Sequence, residues 1–263
     1  MPATLLGVPF DGASSFQRGA ALAPAAIRAA FHSPSTNTWN EDVTDTTSLF
    51  LDAGDLAIDG VTDPRDSITE SVAELLQQGT TPILLGGDHS ITWPIVRAIR
   101  ARAERLTILH LDAHPDLYHS FDGDRLSHAS PFARIMEEKL ANHLVQIGVR
   151  TMNGHQRDQA RRFGVEVVPM RSGLEAMVTA ARRLDGPVFL SLDLDVLDPA
   201  FAPGVSHAEP GGLTTREVIG IIQAIPRGRL VGADLVELNP ANDLRDLTAR
   251  VAVKLLKEIV ARV

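Results

Sequence analysis

The chain has no cysteine. Disulfides, thiolate zinc sites and a cysteine nucleophile are excluded together. Long hydrophobic runs are also missing, since no apolar stretch approaches the roughly 18 residues needed to span a bilayer. The start, MPATLLGVPF, has neither a basic leader nor a long apolar segment, so no signal peptide is expected. These absences predict a cytoplasmic protein without a membrane partner. Positive charge is scarce: 25 Lys and Arg face 33 Asp and Glu, for a net charge of -8. The longest basic runs, Arg161-Arg162 and Arg182-Arg183, are short and fall in helix-like segments. A nucleic-acid partner is excluded, because phosphate contacts need a basic face.

What remains is 263 residues with 44% hydrophobic content, enough for one well-buried domain over residues 1–263. Short apolar runs alternate with amphipathic ones. Eight strands are predicted, at 4–9, 49–54, 81–88, 106–112, 143–149, 165–170, 187–196 and 230–238. Most are continuously apolar, the pattern of parallel strands covered on both faces. Helical periodicity is clear at 65–79, 91–104, 173–186, 214–225 and 247–263. This alternation predicts an α/β fold, a parallel sheet with helices on both faces. Two long segments rich in Pro, Gly, Ser, Thr or Asn, 33–48 and 198–213, escape the alternation. Long loops in compact domains are often functional.

The unusual acids lie at predicted strand ends, where ligands bind in parallel sheets. Asp88 and His89 follow one strand. Asp112, His114 and Asp116 follow another, in DAHPD. Asp193 and Asp195 end a third, and Glu237 ends the last. If the backbone stays extended, residues i, i+2 and i+4 face one side. The DxHxD and DxD groups would then each converge on a point. Several carboxylates in one cleft repel, and burying them unpaired is costly. Arg125 is the only Lys or Arg between 106 and 130. Divalent metal is the natural counter-charge. Four Asp and two His carry a ligand charge of -4, which two M²⁺ ions balance. An oxygen-rich set without Cys suits Mn²⁺ better than structural zinc. Two metals sharing carboxylates hold a water and lower its pKa, which predicts a metal-activated hydrolase.

The motifs GGDHS (86–90), DAHPD (112–116), SLDLDVLDPAFAPG (191–204) and GADLVELNP (232–240) resemble the arginase/agmatinase family, the ureohydrolases. The resemblance runs from GVPFDGASSF to the last helix. It implies a three-layer αβα sandwich around an eight-stranded parallel sheet, and two Mn²⁺ per chain. One ion would be held by His89, Asp112, Asp116 and Asp193. The other would be held by Asp112, His114, Asp193 and Asp195. A hydroxide attacks the guanidinium carbon in this family, and the adduct collapses to urea and an amine. By resemblance Asp116 orients the hydroxide, Glu237 holds the guanidinium and His128 shuttles a proton. The family usually forms homo-oligomers, trimers or hexamers. Among other residues, His110 is expected to be a buried, hydrogen-bonded core residue. Asp88 is expected to orient a ligand, and Asp198 to cap the turn after the metal strand.

The small-molecule guanidino substrate is less sharply marked. DAHPDLYHSFDGDRLSHASPF and APGVSHAEPGGL resemble plant-type arginases, whereas GVPFDGASS resembles the agmatinase form of that loop. The reading is therefore an arginase-like hydrolase acting on L-arginine, with agmatine or another guanidino acid as the alternative substrate. Tyr118, Ser120, Asn153 and His207 are the candidate substrate-binding residues, in loops that also hold Asp11, Ser14, Ser15 and His119. A single-zinc deacetylase-like amidohydrolase is the reading from another class. It has no use for His89, Asp116 and Asp195 together.

Overall fold

The computed structural model describes residues 2–263. Its strands are β1 Ala3–Gly7, β2 Phe50–Asp55, β3 Thr81–Leu85, β4 Thr107–Leu111, β5 His143–Ile147, β6 Glu166–Val168, β7 Val188–Asp193 and β8 Leu230–Val236. They form one sheet in the order β2-β1-β3-β8-β7-β4-β5-β6, and every pairing is parallel. All eight expected strands are present. The helices are α1 Ala23–Phe31, α2 Arg65–Gln77, α3 Thr92–Arg100, α4 Pro131–Glu137, α5 Gly154–Phe163, α6 Gly173–Arg182, α7 Thr215–Ala224 and α8 Leu247–Val260. Among the described residues, no helix is long and apolar enough to cross a membrane.

Alternation along each strand sorts the core into two layers. Ile83, Leu85, Leu109, Leu111, Leu190 and Leu192 face α1, α6, α7 and α8. Leu84, Ile108, Leu144, Phe189 and Val236 face α2, α3, α4 and α5. Both faces of the central strands are therefore apolar and buried, which is why those strands read as continuous hydrophobic runs. Each fully buried Leu, Ile or Phe contributes about 1.5–3 kcal/mol, so a one-residue slip of a central strand would be costly.

Segments 33–48 and 198–213 are long connections, each with only a short 3₁₀ turn or isolated bridges. The first is fastened to the last two helices. Lys257 Nζ donates to the Asn37 carbonyl at 2.9 Å, and Glu258 accepts from the Glu41 amide at 3.0 Å. Arg216 pairs with Glu41 at 2.7 Å. In the second, Asp198 accepts from the amides of Ala200, Gly211 and Gly212, so it does cap the turn after β7.

The sheet order sets β3, β8, β7 and β4 side by side at its centre. Their carboxyl ends carry His89, Glu237, Asp193 and Asp112. The turn after β3 is tight. A Cβ on Gly87 would lie 1.7 Å from the Phe10 carbonyl oxygen, so no other residue fits there without moving the backbone. Gly87→Ala should cost about 1–3 kcal/mol through that clash, read as a fall in Tm and in denaturation midpoint. Gly154→Ala, with nothing within 4 Å of the added Cβ, is the control and should be neutral or slightly stabilising.

Candidate metal centre and substrate cavity

Three aspartates build the site by the same local device. Asp88 Oδ1 accepts from the Ser90 amide at 3.0 Å, Asp112 Oδ1 from the His114 amide at 2.5 Å, and Asp193 Oδ1 from the Asp195 amide at 2.8 Å. Each is an Asx-turn, in which a short acidic side chain bonds its own backbone two residues on. This corrects the extended-strand expectation. β4 ends at Leu111 and β7 at Asp193, so DxHxD and DxD lie on turns rather than on one strand face. Convergence comes from the turn wrapping back, because the local carboxylate–amide bond outcompetes the sheet ladder. Asp116 and Glu237 have φ of 47° and 66°, the left-handed region that costs a non-glycine residue about 1–3 kcal/mol.

The six residues named as ligands do come together. His89 Nδ1 lies 3.2 Å from Asp112 Oδ2, 3.1 Å from Asp116 Oδ2 and 3.2 Å from Asp193 Oδ2. His114 Nδ1 lies 2.9 Å from Asp195 Oδ2 and 3.4 Å from Asp112 Oδ1. Asp112 thus faces both histidines, one oxygen to each. No Lys or Arg pairs with these four carboxylates among the described residues; their cationic neighbours are histidines alone.

The electrostatics reflect that shortage. Burial depresses the His89 imidazole, but Asp112, Asp116 and Asp193 together hold it well above its ordinary value. Burial likewise depresses His114, yet Asp195 and Asp112 push it up to about 12. Burial, then Asp195 and Asp112, push the Asp193 carboxyl well above the usual range. Burial and Asp112 push Asp195 up to about 6. Burial would raise Asp112 as well, but the adjacent His110 and then His114 and His89 hold it well below its ordinary value. The carboxylates draw protons onto their own histidines; divalent cations supply the same charge without them.

The donor set fits metal on a further observation. His89 Nδ1 is fully buried with no hydrogen-bond partner, although three carboxylate oxygens surround it. Its other nitrogen, Nε2, lies 3.0 Å from Ser191 Oγ, which donates to Asp234 Oδ1 at 2.8 Å. Asp234 also accepts from Thr92 Oγ1 at 2.8 Å. Since Ser191 Oγ donates to Asp234, Nε2 is the donor to the hydroxyl, and with a cation in place of the second proton the Nδ1 lone pair would point at the centre of the acids. Ser191 and Asp234 were not singled out from sequence.

Above the acids lies a cavity of about 190 Å³ lined by His114, Asp116, Asp193, Asp195, His128, Glu237, Ser15, Tyr118, Phe121, Ala129, Thr151, Gln156 and His207. His128 Nδ1 is 3.0 Å from Glu237 Oε1, and His128 Nε2 is 2.8 Å from Ser15 Oγ. Glu237 Oε1 also accepts from the His89 amide at 2.9 Å. Burial lowers His128, but the Glu237 carboxylate outweighs it and pushes the imidazole up to about 9. His207 sits with its ring centroid 4.8 Å from that of His128, and burial, then the His128 charge, lower its pKa.

The substrate-side expectations fare unevenly. Tyr118 and His207 line the cavity, and Ser120 does not. Asn153 is occupied elsewhere: its Oδ1 accepts from the Gln156 amide at 2.9 Å, capping α5. It reaches the cavity only through Tyr118, whose hydroxyl accepts from Asn153 Nδ2 at 2.7 Å. An asparagine just ahead of a helix is a strong N-cap, and that preference wins here. Asp11 is bound to the Gly19 and Ala21 amides. His119 lies in an exposed cluster with Arg125 and Glu137. Asp88 bonds the Ala13 amide at 2.8 Å, tying the N-terminal loop to the turn that presents His89. That tie is what delivers Ser15, a cavity residue the sequence reading left among several loop candidates.

The His128–Glu237 pair has a thermodynamic signature in protein stripped of divalent metal. The folded imidazole binds its proton more tightly than an ordinary one, so its stabilisation is full below pH 6.5 and lost as pH rises through about 9. His128→Asn should therefore be destabilised by up to about 3 kcal/mol at pH 6, and the gap to the parent should close above pH 9 in denaturant titrations.

Known proteins resemble this chain in sequence and in fold. The family model described as "Arginase family" matches residues 1–261. Arginase 1, mitochondrial, of Arabidopsis thaliana is 45% identical over 99% of this chain and 80% of its own length. The agmatinase of Bacillus anthracis is 34% identical over 97% of this chain and 90% of its own. The solved structure of the arginase from Medicago truncatula superposes with a TM-score of 0.91 at 41% identity, covering 99% of this chain and 86% of that one. With the eight-stranded sheet and the His–Asp site, these matches place the chain in the arginase family of ureohydrolases.

Proposed function

We propose that the protein hydrolyses L-arginine to L-ornithine and urea with two Mn²⁺ ions. The observation that carries the reading is the pair of donor sets sharing Asp112: His89, Asp116 and Asp193 on one side, His114 and Asp195 on the other. Manganese bound there supplies a water of lowered pKa as the nucleophile. The protein's own groups do the rest. Asp116, on its left-handed turn, projects a carboxylate into the cavity to accept a hydrogen bond from that water. Glu237, buried and fixed by the His89 amide, offers a carboxylate to the planar guanidinium. His128 holds a proton between Glu237 and Ser15, at the place where the leaving amine needs one. His207 and Tyr118 wall the outer cavity.

The choice of arginine rests on the plant-type wording of the loops and on the plant arginases among the relatives. A second reading, agmatine, is favoured by one observation: no Lys or Arg lines the cavity. A substrate carboxylate would have to be met by neutral donors such as Ser15, Thr151, Gln156 and Tyr118. The reading includes a homo-oligomer, for which exposed Val43, Leu51 and Leu244 offer apolar surface.

Urea release from L-arginine, agmatine and 4-guanidinobutyrate by the manganese-loaded protein decides between the substrates. Arginine should be cleaved with the highest kcat/KM; a preference for agmatine would overturn the substrate, and inertness toward all three would overturn the reaction. Elemental analysis should find two manganese per chain, and one zinc would favour the deacetylase-like reading. Asp112→Ala should lose metal and at least about 10³-fold in kcat/KM, since both donor sets pass through it. Retained metal with full activity would remove its bridging role.

A further inference from the structure

Beneath the metal-binding turns, a buried polar row crosses four adjacent strands. Asp234 of β8 is in register with Ser191 of β7, Ser191 with His110 of β4, and His110 with Gln146 of β5. All four side chains are fully buried within otherwise apolar strands. The Asp234–Ser191 half addresses His89. The other half, His110 and Gln146, is not used by the proposed reaction.

Its proton arrangement is fixed from one end. The Pro115 carbonyl only accepts, and Gln146 Nε2 lies 2.6 Å from it, so the amide must present nitrogen there. The second N–H of the same nitrogen points at His110 Nδ1, 3.0 Å away. Nδ1 is therefore an acceptor, and the imidazole carries its proton on Nε2. Nε2 lies 2.8 Å from Asp112 Oδ2, the oxygen that faces His89. Phe132 of α4 covers the imidazole, with ring centroids 3.9 Å apart, and keeps water from replacing any of these bonds. The same amide also grips the backbone between His114 and Asp116.

We infer that His110 and Gln146 are positioning residues: Gln146 fixes the tautomer of His110, and His110 holds the carboxylate plane of Asp112 so that one oxygen faces each donor set. The inference rests on the proposed dimetal reading. Without that donated hydrogen bond, the His114 amide on Oδ1 is the only hydrogen bond that holds the Asp112 carboxylate, and Oδ2 loses the contact that fixes its direction toward His89. Without the amide, the imidazole proton can move to Nδ1 and the carboxylate meets a lone pair instead. Residues that orient a metal ligand in this way are typically worth 10–100-fold in metal affinity.

The test compares two variants of nearly equal size and polarity. In His110→Gln the side-chain amide reaches the position of imidazole Nε2; in His110→Asn it reaches only that of Nδ1. Manganese-loaded protein is titrated with a chelator, and the release midpoint and the Mn–Mn exchange signal in EPR are recorded. Melting of the chelator-stripped forms is measured in parallel. His110→Asn should release manganese about 10–100-fold more readily and lose the coupled signal, while His110→Gln stays near the parent. Equal behaviour of the two variants would overturn the inference. Should either variant fail to fold, Gln146→Met, one residue further from the metals, decides instead. It should weaken manganese retention to a similar degree, and unchanged retention would overturn the inference. If the parent itself holds no manganese pair, the dimetal reading falls first, so the two failures are distinguishable.

Discussion

Mutual repulsion among Asp112, Asp116, Asp193 and Asp195 is the constraint to which the rest of the molecule answers. Four carboxylates crowd beneath one cavity with no Lys or Arg to offset them. Such a cluster persists only on a scaffold whose stability comes from elsewhere. Here it comes from two apolar layers that sandwich the central strands. The site is placed where those layers end, at the strand termini, so the clustered acids lie outside the apolar core.

The backbone around the site is correspondingly over-determined. Asx-turns at Asp88, Asp112 and Asp193 commit one oxygen of each carboxylate to the chain itself; the other faces His89 in Asp112 and Asp193 and grips the Ala13 amide in Asp88. Left-handed Glu237 is held by the turn after β3: its amide donates to the Gly87 carbonyl at 2.9 Å and its carboxylate accepts from the His89 amide. Because hydrogen bonds fix Asp112, Asp193 and Asp195, much of the donor geometry is set before any cation arrives, which favours binding by removing an ordering cost.

Most of the architecture was legible because its signals are local. Short apolar runs, most of them continuous, marked all eight strands, and helices α2, α3, α6, α7 and α8 showed clear periodicity. The segments forming α1, α4 and α5 were not singled out. α5, GHQRDQARRF, has almost no apolar face to report, and α4 is only Pro131–Glu137. Ligand residues were legible because acids at apolar strand ends are anomalous. Ser15 was not distinguished, since bonds distant in sequence, Asp88 to the Ala13 amide and the His128 amide to the Ala13 carbonyl, bring its loop across. The capping role of Asn153 was missed because an N-cap and a substrate contact have the same residue signature. The polar row was invisible because Ser191, Gln146 and Asp234 each look like a single interruption of a strand. Their alignment is a property of register, which no one segment carries.

The strand order has a consequence for the nascent chain. β8 is the last strand to be synthesised, yet it lies between β3 and β7. Without residues 230–236 the strand order would divide into two pieces, β2-β1-β3 and β7-β4-β5-β6, each with a further unpaired edge. His89 belongs to the first piece, and Asp112, His114, Asp193 and Asp195 to the second. A chain lacking β8 would carry half-sites and two open edges, and such edges and non-local pairings slow folding. Insertion of β8 closes the edges, brings Glu237 into place and joins the two halves of the metal centre in one late event.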